Sequence, residues 1–254
     1  MKNLLIRTVS GVFLATVTVL GVLYLNTHAL KIIISLVAAV SIWELLNLFR
    51  KRFDIINIYT ATFVGFLISL TGLFFSLFWA LLGIFIYAFW QANKKWNLDY
   101  LLALVFIYVY GGILVSSIGK LIEIDRYIVL ILFATVWAGD TFAYFFGKAV
   151  GKHKLAPQLS PKKTWEGAFG SVLGSLLFGG GLAYYLNHIE AVIPVFFSAI
   201  IMQIGDLFES FIKRQFGVKD SSNLIPGHGG VLDRIDALIF ASVFFVGFYQ
   251  VFKF

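Results

Sequence analysis

The sequence predicts an all-α, polytopic integral membrane protein with about nine transmembrane helices and a cytoplasmic N-terminus. Three observations carry that prediction. Hydrophobic residues make up 60% of the 254-residue chain, against ~45–50% in soluble domains, and the mean hydropathy is +0.90. Apolar runs recur at the roughly 20 residues that a helix needs to cross a ~30 Å hydrocarbon core. Finally, lysine and arginine divide unevenly between the two sides that these spans define. With the N-terminus inside, 16 of the 20 fall on the inner side: Lys2, Arg7, Arg50, Lys51, Arg52, Lys94, Lys95, Lys148, Lys152, Lys154, Lys162, Lys163, Lys213, Arg214, Lys219 and Arg234. Lys31, Lys120, Arg126 and Lys253 fall outside. That excess marks the cytoplasmic face.

The expected spans are 9–25, 30–48, 56–73, 75–92, 100–118, 127–146, 166–186, 191–212 and 236–252. The first follows a basic start, MKNLLIR, but is too long for a signal peptide and lacks an Ala-x-Ala-like site, so it reads as an uncleaved span. Spans two to five carry one notable acid, Glu44 in WELLNLF, among Trp, Tyr and Phe suited to interfacial belts. Spans six to nine hold almost all the other unusual polar residues. Connections are short except for two polar loops, about 147–165 and 213–235. No polar block is long enough for a soluble domain, so 1–254 is one membrane domain. Within it, 1–119 reads as scaffold, with dimer or lipid contacts, and 120–254 as the half that carries chemistry. Cysteine is absent, which excludes disulfides and thiolate metal sites. The +7 formal charge does not by itself imply a nucleic-acid partner, because in a membrane protein the distribution of charge matters more.

Four stretches carry candidate chemistry. In VWAGDTFAYFFGKAVGKHK, Asp140 stands deep in an apolar span, where a lone carboxylate must be protonated, bridged or metal-linked. Tyr144 and Lys148 extend the same face. In SPKKTWEGAFGS, Ser160 with Pro161 reads as a helix start, where Lys162, Lys163 and Thr164 gather phosphate-binding groups. The alternative there is a basic edge on anionic headgroups, with Glu166 pairing the lysines. Gly170 and Gly174 are a small-xxx-small packing pair. In IGDLFESFIKR, Asp206, Glu209, Ser210 and Lys213 share one helical face. Two carboxylates there suit a hard divalent cation, while a Glu209–Lys213 pair is the competing reading. In LIPGHGGVLDRID, Pro226 and the glycines around His228, Gly229 and Gly230 among them, forbid a helix and let backbone amides approach an anion. Asp233 and Asp236 form a second carboxylate pair at the start of the last span.

The run from Ser210 to Asp236, SFIKRQFGVKDSSNLIPGHGGVLDRID, resembles the signature of the phosphatidate cytidylyltransferase, or CDP-diacylglycerol synthase, family. GDTFAY and SPKKTWEG resemble further motifs of that family, so the likeness covers the C-terminal half closely. The resemblance implies transfer of the cytidylyl group of CTP to phosphatidate, giving CDP-diacylglycerol and pyrophosphate. It implies Mg²⁺, with K⁺ also associated, and regards Asp206 and Asp233 as metal-site residues. Asp236 joins them in the expected metal set. The expected catalytic residues are Asp206, Lys213, Arg214, Lys219, Asp220, His228, Asp233, Arg234 and Asp236. The expected substrate-binding residues are Asp140, Tyr144, Ser160, Lys162, Lys163, Thr164, Glu166, Ser210, Gly229 and Gly230. CTP, phosphatidic acid and membrane lipids are the implied partners, with a homodimer, in the inner membrane and with the site facing the cytoplasm.

Two readings from other classes compete. Intramembrane acids at Asp140, Asp206 and Glu209 suit a cation-coupled transporter, but the polar residues gather toward one side rather than at a midplane. Another lipid phosphotransferase, such as a polyprenol kinase, is the second. A CDP-alcohol transferase would need a D-G-x2-A-R pattern, which the chain lacks.

Overall fold

The computed structural model describes residues 2–54, 57–225, 227 and 229–252. Among these, nine helical rods alternate with short connections, in the order expected from the apolar runs. They are α1 (Lys2–Tyr24), α2 (Thr27–Phe49), α3 (Ile58–Phe74), α4 (Leu77–Asn93), α5 (Leu98–Ile124), α6 (Arg126–Ala149), α7 (Trp165–Tyr185), α8 (Ile189–Gln215) and α9 (Leu232–Phe252). Six of them (α2 and α5 to α9) are long and apolar enough to cross a bilayer. The apolar part of α1 (Ser10–Tyr24), α3 and α4 are shorter. The protein is an all-α, multi-pass membrane protein.

Helix starts are written in local chemistry. Asn26, Asn57, Ser76, Asn97 and Asp125 each stand before a helix and accept a hydrogen bond from an amide of its first turn. Such caps satisfy donors that would otherwise be stranded at the helix end. The start expected at Ser160 is not one of them. Ser160–Thr164 is extended as β2, antiparallel to β1 (Lys154–Ala156), with Lys154 opposite Thr164 and Ala156 opposite Ser160. The helix begins at Trp165, where the Thr164 hydroxyl accepts from Gly167 N at 3.1 Å. Pro161 is tolerated because a two-stranded hairpin has only edges.

The chain forms two compact units, residues 1–120 with 220–233 and residues 121–219 with 234–254. The core of the first is built from Ile42, Leu45 and Leu46 of α2, Leu73 of α3, Ile84 of α4 and Leu104, Ile107 and Tyr108 of α5. Some of its buried polar groups pair internally: Ser69 and Ser116 hydroxyls lie 2.6 Å apart, and Tyr108 donates to Ala61 O at 2.9 Å. Where α5 meets Ile42 and Leu45 it widens into a π-helical turn, Val109–Leu114, around Gly111 and Gly112.

In the second unit α6 and α7 lie face to face. A Cβ on Gly170 would stand 2.6 Å from Phe146, and one on Gly174 2.6 Å from Phe142. The expected small-residue packing pair is therefore real, and it joins these two helices. α8 and α9 close the unit through Phe197–Phe244 and Phe208–Phe240 contacts. At Gly205 a Cβ would reach Asp236 O at 2.7 Å, so the missing side chain lets α8 press against α9 one residue before Asp206.

Candidate active site

The second unit gathers acids from three helices. Asp206 of α8 pairs with Lys163, which β2 delivers, and Ser210 Oγ donates toward Asp206 Oδ1 at 3.5 Å. Asp140 of α6 interacts electrostatically with Asp206, Asp236, Lys163 and Arg234. Asp140, expected deep in an apolar span, lies within α6 with its side chain not covered by the rest of the fold. One turn beyond Asp206, Glu209 is fully buried and accepts from Lys213 Nζ at 3.0 Å. Glu209 and Lys213 also interact electrostatically with the carboxyl of Asp236. Two carboxyls side by side need a proton or a cation between them.

Four carboxyls, Asp140, Asp206, Glu209 and Asp236, thus share a neighbourhood with Lys163, Lys213 and Arg234. Among the described residues no three His, Asp or Glu converge tightly enough to form a ready metal centre. The donor set is nevertheless all oxygen, net acidic and free of sulfur and imidazole, which fits Mg²⁺ and not a soft metal.

The Asp220–Asp233 segment of the first unit is organised by two carboxylates. Asp233 Oδ2 accepts from Ser221 N at 2.8 Å, Ser221 Oγ at 2.9 Å and Gly230 N at 2.7 Å. Glu44 of α2 accepts from Ser222 Oγ at 2.6 Å, Ser221 Oγ at 3.0 Å, Val231 N at 2.8 Å and Leu232 N at 2.8 Å. The amides at the end of the glycine turn, expected to approach an anion, donate here to the protein's own carboxylates. The amides of Gly230, Val231 and Leu232 face Glu44 and Asp233. Gly227 and Gly229 take positive φ of 77° and 86°, which glycine adopts at little cost. Ile225 N donates to Gly229 O at 2.8 Å, closing the turn. A Cβ on Gly230 would overlap Ser221 Oγ and the Glu44 carboxylate. Pro226 and His228 lie outside the described residues.

The other expected site residues divide. Lys162, Lys219, Asp220 and Arg234 are exposed. Arg214 is also exposed, and its Nη1 donates to Val218 O at 2.7 Å beyond the end of α8. Tyr144 is exposed with Lys148 Nζ 5.7 Å from its ring. Ser160 sits in β2, and Thr164 is a helix cap. Glu166 does not pair with the lysines: His153 Nδ1 stands 2.7 Å from Glu166 Oε1, because the hairpin brings His153 back over the start of α7. Sequence reasoning noted Glu44 only as an acid of the scaffold half, and it missed Ser221. The rule that flagged Asp140, a lone acid in an apolar run, applies equally to Glu44.

The chain matches the cytidylyltransferase family across residues 5–252. It is similar to the phosphatidate cytidylyltransferase of Haemophilus influenzae, 31% identical over 281 residues that cover 96% of this chain and 97% of the relative. The phosphatidate cytidylyltransferase of Aquifex aeolicus is 41% identical over 155 residues, 61% of this chain and 59% of that one. That of Brucella abortus is 51% identical over 118 residues, 45% of this chain and 43% of the relative. With the match running almost from end to end, the chain belongs to the cytidylyltransferase family.

Proposed function

We propose that the protein transfers the cytidylyl group of CTP to phosphatidate, releasing pyrophosphate and forming CDP-diacylglycerol for phospholipid synthesis. The observation that carries this reading is the acid cluster of Asp140, Asp206 and Asp236 with Lys163 and Lys213 at its edge. Alternating acids and cations suit a triphosphate with its metal. Family membership and the names of the relatives supply the substrate class.

The phosphate of phosphatidate is largely dianionic at neutral pH, so its oxygen needs no strong base. That oxygen forms a new bond to the α-phosphorus of CTP as the α–β bridging bond breaks and its electrons leave with pyrophosphate. The demands are in-line positioning and charge neutralisation. Lys163 and Lys213 hold phosphate oxygens, Lys162, Lys219, Arg214 and Arg234 add positive potential, and Ser210 orients Asp206. Asp206, Asp236 and Asp140 would hold Mg²⁺, which when bound neutralises charge on the triphosphate. Asp233, also expected as a ligand, is separated by experiment. If its role is to order the loop, Asp233→Asn shifts activity without changing the Mg²⁺ concentration for half-maximal rate. If it is a ligand, that concentration rises. K⁺ dependence and a homodimer through the first five helices belong to the same reading.

The site faces the cytoplasm of the inner membrane in this reading, because CTP is found there and the lysine bias points that way. The absence of cysteine makes the test clean. A single cysteine replacing exposed Lys152 should react with an impermeant maleimide only after the inner face is opened, and one replacing Lys253 before it. The reverse labelling overturns the orientation.

A further inference from the structure

The geometry points to Glu44 as a positioning residue: a buried carboxylate of α2 that holds the Asp220–Asp233 loop and sets where Asp233 stands. This rests on the reading above that the loop serves cytidylyl transfer. Glu44 is fully buried in an apolar helix, where an ionised carboxylate is strongly penalised unless hydrogen bonds replace its water. Its four donors all come from the loop or the start of α9, and each carboxylate oxygen takes two of them. Packing of α2 against α3 and α5 does not require that charge; holding the loop does.

The arrangement also explains its neighbours. Val231 N and Leu232 N belong to the positive end of α9, and Glu44 fills the place that a local cap or an anion would take. Ser221 Oγ stands between Glu44 Oε2 and Asp233 Oδ2 with one proton to give. Glu44 therefore acts on Asp233 through a shared hydroxyl. Gly230 is required because any side chain there would occupy the space of both Ser221 Oγ and the Glu44 carboxylate.

The test compares full-length wild type, Glu44→Gln, Glu44→Asp and Ser222→Ala in lipid nanodiscs. Hydrogen exchange is followed without substrate or metal, and steady-state turnover of CTP and phosphatidate is measured in parallel. Glu44→Gln puts an amide N–H₂ against donors, so exchange across 220–232 should quicken roughly 10- to 100-fold, while peptides of α3 and α4 keep wild-type exchange. Turnover kcat should fall about tenfold or more with KM for CTP little changed, since Glu44 touches no substrate. Glu44→Asp should restore part of both readouts, and Ser222→Ala should loosen the loop less than Glu44→Gln. Wild-type exchange in the loop of Glu44→Gln would overturn the proposal. So would equal loosening of α3, α4 and the loop, which would make Glu44 a general packing residue. If Glu44→Gln does not fold, Ser222→Ala decides: wild-type loop exchange in it overturns the proposal. Should wild type make no CDP-lipid, the functional reading fails, while the exchange data still decide whether Glu44 holds the loop.

Discussion

Glu44 and Asp233 grip the same hydroxyl: Ser221 Oγ lies 3.0 Å from Glu44 Oε2 and 2.9 Å from Asp233 Oδ2. One proton serves two carboxylates, and Ser221 N adds a further donor to Asp233. Ser221→Ala leaves both buried acids short of a donor, which costs about 1–3 kcal/mol. The expected outcome is a lower melting temperature and reduced turnover, read by thermal unfolding in detergent and by pyrophosphate release. Ser221→Thr keeps the hydroxyl and should lose less.

The glycines of the chain should separate sharply on substitution. Gly230→Ala places a methyl on Ser221 Oγ and Glu44, and Gly229→Ala adds a positive-φ penalty to a 2.7 Å approach to Asp233 Oδ2. Either should cost about 1–3 kcal/mol from overpacking and strain and remove most activity. Gly181→Ala meets nothing within 4 Å and sits within a helix, so it should be neutral or stabilising by up to ~1 kcal/mol. Melting temperatures of the three variants check the order.

Lys163 and Asp206 form an ion pair across β2 and α8. In the proposed reaction each has a second task, phosphate for one and metal for the other. Lys163→Met should raise KM for CTP with Mg²⁺ half-saturation little changed. Asp206→Asn should instead raise the Mg²⁺ requirement, with turnover falling on the order of 100-fold. Initial rates over a grid of CTP and Mg²⁺ concentrations separate the two effects.

Thr164 was expected to touch substrate, and it caps α7. Thr164→Ala should cost about 1 kcal/mol of stability and leave KM for CTP unchanged once the folded fraction is equalised. Thr164→Ser should restore the loss. A raised KM in a fully folded Thr164→Ala sample would return this residue to the substrate set.

The helices were legible because a bilayer imposes a length and a composition that survive any tertiary arrangement. Even the helix packing at Gly170 and Gly174 could be read, since small residues four apart have few other uses in an apolar span. The hairpin at Ser160 was not legible, because Ser-Pro opens a helix as readily as an edge strand, and only pairing with Lys154–Ala156 decides. Asp206, Asp236 and Asp140 stood out by charge alone. Lys163 as the partner of Asp206, and His153 as the partner of Glu166, depend on tertiary contacts that no local spacing encodes. Glu44 was visible as a lone acid, but its four donors lie at the far end of the chain. A carboxylate whose partners are amides leaves no charge pattern to detect.

The central claim is that the acid cluster around Asp206 supports metal-dependent cytidylyl transfer to phosphatidate. The most direct measurement incubates purified wild type and Asp206→Asn in phosphatidate-containing vesicles with CTP and Mg²⁺, following CDP-lipid and pyrophosphate together. Wild type should form the two products in equal amounts, stop on chelation of Mg²⁺, and make neither when phosphatidate is left out. Folded Asp206→Asn should form almost none. A wild-type protein that yields no CDP-lipid, or a folded Asp206→Asn that matches wild-type turnover at the same Mg²⁺, would contradict the account.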